Sequence, residues 1–169
     1  GERGAWVQGS RRDVIIDRLR DEPTDAGGVS FPPLLDRLSH ITVLDVARDP
    51  LGLVTGSTWL GSLVRRSASL VVVGVATVPG LRRLETTLVS LETVRCVGAI
   101  IGPSRRHWPR CLVPGPATDD LIRSGRAVPV PVIPALRLTG ADSSDELPAP
   151  LLSAARGILA LTHVGKDLP

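Results

Sequence analysis

Between Ser69 and Ala76 the chain reads SLVVVGVA, eight residues with no charge among them. A strand with one wet face alternates apolar and polar residues, whereas this run is apolar at odd and even positions alike and rich in β-branched side chains. It suits a strand covered on both faces. Such a strand needs helices above and below it, so this one segment already directs the chain toward an α/β arrangement.

The following residues keep to that plan. TVPGLRRLETTLVSLE, 77–92, puts Pro79 in a first helical turn and spaces Leu81, Leu84, Leu88 and Leu91 along one apolar stripe. RCVGAII, 95–101, reads as a strand stopped by Gly102-Pro103, and DDLIRSG, 119–125, as a short helix ending at Gly125. AVPVPV, 127–132, is a strand whose Pro129 and Pro131 lack ladder donors, which places it at or near an edge. PLLSAARGILALT, 150–162, is the closing helix, with Leu151, Leu152, Ala155, Ile158, Leu159 and Leu161 expected on a broad apolar face.

Upstream, ITVLDV, 41–46, is a further buried strand, and Ser57 is the expected N-cap of a helix running to about Arg66. The alternation predicts a three-layer α/β sandwich, its mostly parallel central sheet flanked by helices and joined by right-handed crossovers, as one domain over 1–169. The first forty residues fit less neatly. AWVQG reads as a short strand, SRRDVIIDRLRD as an amphipathic helix, PTDAGGVSFPP as a loop before a helical LLDRL, and the acidic 141–146 as a solvated loop.

Composition narrows the setting. A hydrophobic share of 43% fits a globular chain, and no apolar run approaches the roughly 18–20 residues that span a bilayer. Two cysteines, Cys96 and Cys111, are too few for a disulfide framework and are expected reduced, consistent with a cytoplasmic location. The net charge of +3 permits nucleic-acid contact without demanding it. The chain has no methionine and starts at Gly1, so a piece of a longer protein is the expectation.

Ligands of α/β folds gather at the carboxyl ends of parallel strands, which marks Asp45, Thr77 and Gly102 as the candidate site. The loop GPSRRHWPR, 102–110, offers a second: Arg105, Arg106 and Arg110 for phosphates, with Trp108 to stack on a base. His107 and Cys111 alone do not make a zinc site, and no G-x-S-x-G elbow is present.

The order of elements resembles the second half of ParA/MinD-type P-loop ATPases, over about Leu35 to Leu161. LDRLSHITVLDVARDP matches the strand ending in a magnesium-associated aspartate, here Asp45, and RRSASLVVVGVATVPGLRRLETTLVSLE the next strand and helix. Ala68-Ser69 stands for the family's alanine-aspartate turn, and Thr77 to Pro79 for the helix start. The resemblance implies Mg-ATP as cofactor, with Asp45 orienting the metal, wherever a phosphate loop is present. Such a loop needs glycines, a lysine and a Ser or Thr hydroxyl. GAWVQGSR, from Gly4, and GSTWLGSL, from Gly56, imitate the glycine spacing but lack the lysine and carry a tryptophan inside. Gly102-Pro103 also replaces the asparagine that helps recognise the base. The expectation is a degenerate or truncated nucleotide-switch domain that binds neither cofactor nor metal as it stands and works as a scaffold for a protein partner or a second copy. A nucleic-acid-associated module is the alternative, and an ATPase with its phosphate loop upstream of Gly1 is a third.

Overall fold

The computed structural model describes residues 6–11, 14–19, 45, 50–55, 57–67, 69–139 and 147–162. The chain divides into two compact units, Gly1–Val64 and Arg65–Pro169.

In the first unit, β1 (Trp6–Arg11) and β2 (Val14–Leu19) form an antiparallel pair, with Trp6 opposite Leu19 and Arg11 opposite Val14. The amphipathic helix expected over SRRDVIIDRLRD is therefore corrected. Val14, Ile15 and Ile16 are consecutive β-branched residues, stiff in a helix and well suited to a strand, and β1 lies within reach to pair with them. α1 (Pro50–Thr55) starts at a proline, because the first helical position needs no N–H donor. α2 (Trp59–Arg66) is capped one residue later than expected. Thr58, not Ser57, accepts the Gly61 N–H on its Oγ1 at 3.1 Å. Leu60 is buried, while Trp59, Leu63 and Val64 are half-buried. Of the strand expected at 41–46 only Asp45 is described, exposed and in no regular element. The expected loop and helix over 23–38 and the acidic loop 141–146 lie outside the described residues.

The second unit carries the alternation. β3 (Leu70–Val75), α3 (Val78–Ser90), β4 (Cys96–Ile101), α4 (Pro116–Arg123) and β5 (Ala127–Val130) are followed by α5 (Pro134–Thr139) and α6 (Ala149–Leu161). The three strands form one sheet in the order β3-β4-β5, both pairs parallel, so among the described strands β5 is an edge, as Pro129 required. All four leucines of the α3 stripe are buried, each contributing about 1.5–3 kcal/mol by leaving water.

Two glycines show which helices cover which face. A Cβ on Gly74 would meet Leu84 of α3, and one on Gly98 would meet Leu121 of α4. Val72 pairs with Gly98 and Gly74 with Ile100, so both glycines lie on one face and both helices pack there. Val128 pairs with Ala99 on the opposite face, where it lies against Gly157 of α6. Helices thus flank a parallel sheet on both sides, the expected α/β sandwich. Of the face expected on α6, Leu151, Leu152, Ile158 and Leu161 are half-buried, whereas Ala155 and Leu159 are exposed, and Ala154, outside that set, is its buried residue.

Candidate functional site

The tips of β3 and β4 bring Thr77 and Gly102 into one neighbourhood. The Ala76 N–H donates to Ile101 O at 2.8 Å, carrying the ladder one residue past β3, and the Gly102 N–H donates to Val130 O at 2.9 Å. Gly102 takes φ +139°, a conformation other residues rarely adopt, and a Cβ there would stand 2.7 Å from Ala76 Cβ. Asp45, the third member of the expected site, belongs to the other unit.

At the start of α3, Thr77 Oγ1 accepts the Gly80 N–H at 3.1 Å, and Thr77 O accepts the Leu81 N–H at 2.8 Å. Gly80 has no room for a side chain, since a Cβ would run into Val75 O and lie 2.9 Å from Thr77 Oγ1. The Gly80 N–H at this helix start is already bonded, and the space where a Gly80 side chain would stand is filled by the strand that precedes it.

The described residues of the two glycine-spaced segments form no phosphate cradle. Residues 6–11 of GAWVQGSR are strand β1, and in GSTWLGSL helix begins at Trp59, with the Gly61 N–H given to Thr58. A phosphate cradle needs successive N–H groups turned toward one centre, and the described residues of these segments do not fit Mg-ATP. Among the described residues no group of three or more His, Cys, Asp or Glu is placed to hold a metal ion.

The basic loop has internal order. Arg105–His107 form one 3-10 turn, Trp108 Nε1 donates to Pro103 O at 2.8 Å, and Ser104 Oγ lies 3.0 Å from His107 Nδ1. Arg105 is 2.6 Å from Asp119 of α4, which also pairs with Arg123 at 2.7 Å. The first contact is ionic, for Asp119 Oδ1 has no partner in hydrogen-bond geometry. Of the four residues expected at nucleic acid, Arg106 and Arg110 are exposed, Arg105 shares a carboxylate, and half-buried Trp108 spends its N–H within its own loop.

Sequence reading missed Glu85. From the middle of α3 its carboxylate accepts the Ala117 N–H at 2.9 Å, the Thr118 N–H at 2.8 Å and the Thr118 hydroxyl at 2.7 Å. Burial pushes the Glu85 carboxyl up, but the bonds from Ala117 and Thr118 together outweigh it and hold the group below its ordinary value. The available signal was Gly115-Pro116. A helix that starts there has no capping side chain of its own, so the N–H groups at its second and third positions need a remote acceptor. Cys96 is a buried thiol, pushed up by burial against the pull of the Arg126 charge, and is inert as a nucleophile.

No protein-family model, curated protein or solved structure matches the chain. No helix among the described residues is long and apolar enough to cross a membrane.

Proposed function

We propose that the chain is a ParA/MinD-like α/β domain without a working phosphate loop, acting as a protein-binding scaffold. The observation that carries this reading is the outer strand β3. Val71, Val73 and Val75 are 43%, 63% and 45% exposed, on a strand that pairs with β4 alone among the described residues. Edge strands are ordinarily guarded by charge, proline or shortness. β5 has Pro129 and only four residues, whereas LVVVGV has neither charge nor proline over six.

The partner this edge fits is a second copy of the chain. Antiparallel pairing with Val73 opposite its counterpart keeps all the valines on one face. It also sets the exposed Arg65 and Arg66, just before β3, at opposite ends of the pair, where a parallel arrangement would bring them together. The sheet would grow from three strands to six, within the common size range. Three valines bury far less than the roughly 800 Å² per partner of a stable interface, so the association is weak and rests on main-chain hydrogen bonds. The two unpaired cysteines, Cys96 and Cys111, support a cytoplasmic setting for it.

Sedimentation equilibrium tests the assignment. Wild-type chain should dimerise with rising concentration and Val73→Lys should stay monomeric; wild type that is monomeric throughout sinks it. Isothermal titration with Mg-ATP should give no heat, and micromolar binding would overturn the loss of the phosphate loop. A second reading, contact with nucleic acid, is supported by exposed Arg106 and Arg110 on a stiffened loop. Fluorescence anisotropy with a short duplex at two salt concentrations checks it, and it fails if Arg106→Ala with Arg110→Ala changes nothing.

A further inference from the structure

We infer that Glu85 governs the placement of the basic loop 103–110 without touching it, through the first turn of α4. The relay has two links. Glu85 on α3 takes both orphan N–H groups of that turn, Ala117 and Thr118, and so fixes where α4 begins. The next residue, Asp119, projects from the same turn and pairs with Arg105 of the loop. One carboxylate thus holds the helix start and a second, in that same turn, holds the loop, each also favoured by the positive end of the helix.

Gly115 shows that the first grip is built in. A Cβ there would stand 2.6 Å from Glu85 Oε2, so the carboxylate reaches the N–H groups because the cap residue has no side chain. Thr118 is 0% exposed and gives Glu85 both its N–H and its hydroxyl. The 3-10 turn at Arg105–His107 and the Trp108–Pro103 bond keep the loop's own shape. What ties that shape to the rest of the unit at its arginine end is Asp119. Loosening the start of α4 therefore releases the orientation of Arg105, and with it the surface that presents Arg106 and Arg110.

Native-state amide hydrogen exchange on the full chain tests the relay, read peptide by peptide at neutral pH. Glu85→Gln keeps the shape of the side chain but removes its charge. It should speed exchange about tenfold in 115–123 and also in 103–113, as loss of hydrogen bonds to a charged group allows, with 96–101 unchanged. Arg105→Ala should speed 103–113 and leave 115–123 as in wild type, because the relay runs from α3 outward. Thr118→Val, which keeps both N–H bonds, should fall between wild type and Glu85→Gln. The inference is overturned if Glu85→Gln loosens 115–123 alone, if it loosens neither segment, or if 96–101 accelerates equally, which would mark general unfolding.

Discussion

Gly80→Ala sets two effects of opposite sign against each other. In an exposed helix interior the change is stabilising by about 1 kcal/mol, because alanine restricts the unfolded chain and favours the helix. At this position the new methyl would be driven into the Val75 carbonyl oxygen, 3.1 Å from Val75 C and 2.9 Å from Thr77 Oγ1. The obstructing atoms are main chain, so relief requires moving the start of α3 away from the end of β3. Overpacking of this kind costs about 1–3 kcal/mol, toward the upper end where backbone must shift. The shift also strains the Thr77–Gly80 capping bond, a loss of about 1 kcal/mol. The net expectation is destabilisation by about 2–3 kcal/mol, read as a lower urea midpoint at unchanged slope. Thr77→Ala alone should cost about 1 kcal/mol, and the double variant less than the sum, since both changes attack one bond. A Gly80→Ala chain as stable as wild type would mean that the turn is open. The claim that the chain's own atoms occupy the helix start would then fall.

Glu85 gives a pH dependence with a definite sign. Its folded-state value is depressed, so its stabilisation is fully present above the ordinary carboxylate value of 4.5 and lost as pH falls through the folded value. Urea midpoints of wild type should therefore fall more steeply below about pH 4.5 than those of Glu85→Gln, and parallel curves would refute the assignment. Leu84→Ala empties a site 2% exposed beneath Gly74 and should cost about 2–5 kcal/mol, measured by chemical denaturation. Gly115→Ala should destabilise by about 1–3 kcal/mol through its collision with the Glu85 carboxylate, and Glu85→Ala in the same chain should remove most of that penalty.

What the sequence reveals in advance depends on the range of the forces involved. The leucines at 81, 84, 88 and 91 share a stripe because local periodicity makes them share it, and all four are buried. Pro129 announced an edge because it lacks a donor wherever it is placed. Thr77 and Gly102 could be paired in advance because the tips of adjacent parallel strands must be neighbours. The failures need information from elsewhere in the chain. Val14–Leu19 fits a helical wheel on its own, and its pairing with β1 makes it a strand. The α6 sequence is apolar nearly all round, so its pattern cannot say which side meets Val128. Glu85 lies 32 residues from Ala117, and on α3 it looks like any solvated glutamate.

The tip and the flank of β3 bear on function in opposite ways. At its carboxyl tip, where α/β folds usually hold a ligand, Gly80 is pressed against Val75 and the Gly80 N–H is spent on Thr77, so the fold uses that space to bind itself. Along its flank the strand keeps three half-exposed valines and no guarding charge or proline. Closing the tip favours rigidity, while leaving an uncharged flank favours association, and the same six residues do both. A nucleotide switch needs the reverse, an open tip and a flank covered by its own neighbours. Among the described residues the exposed apolar surface of β3 lies along its side and not at its tip, which is why scaffolding rather than phosphate chemistry is the function proposed for it.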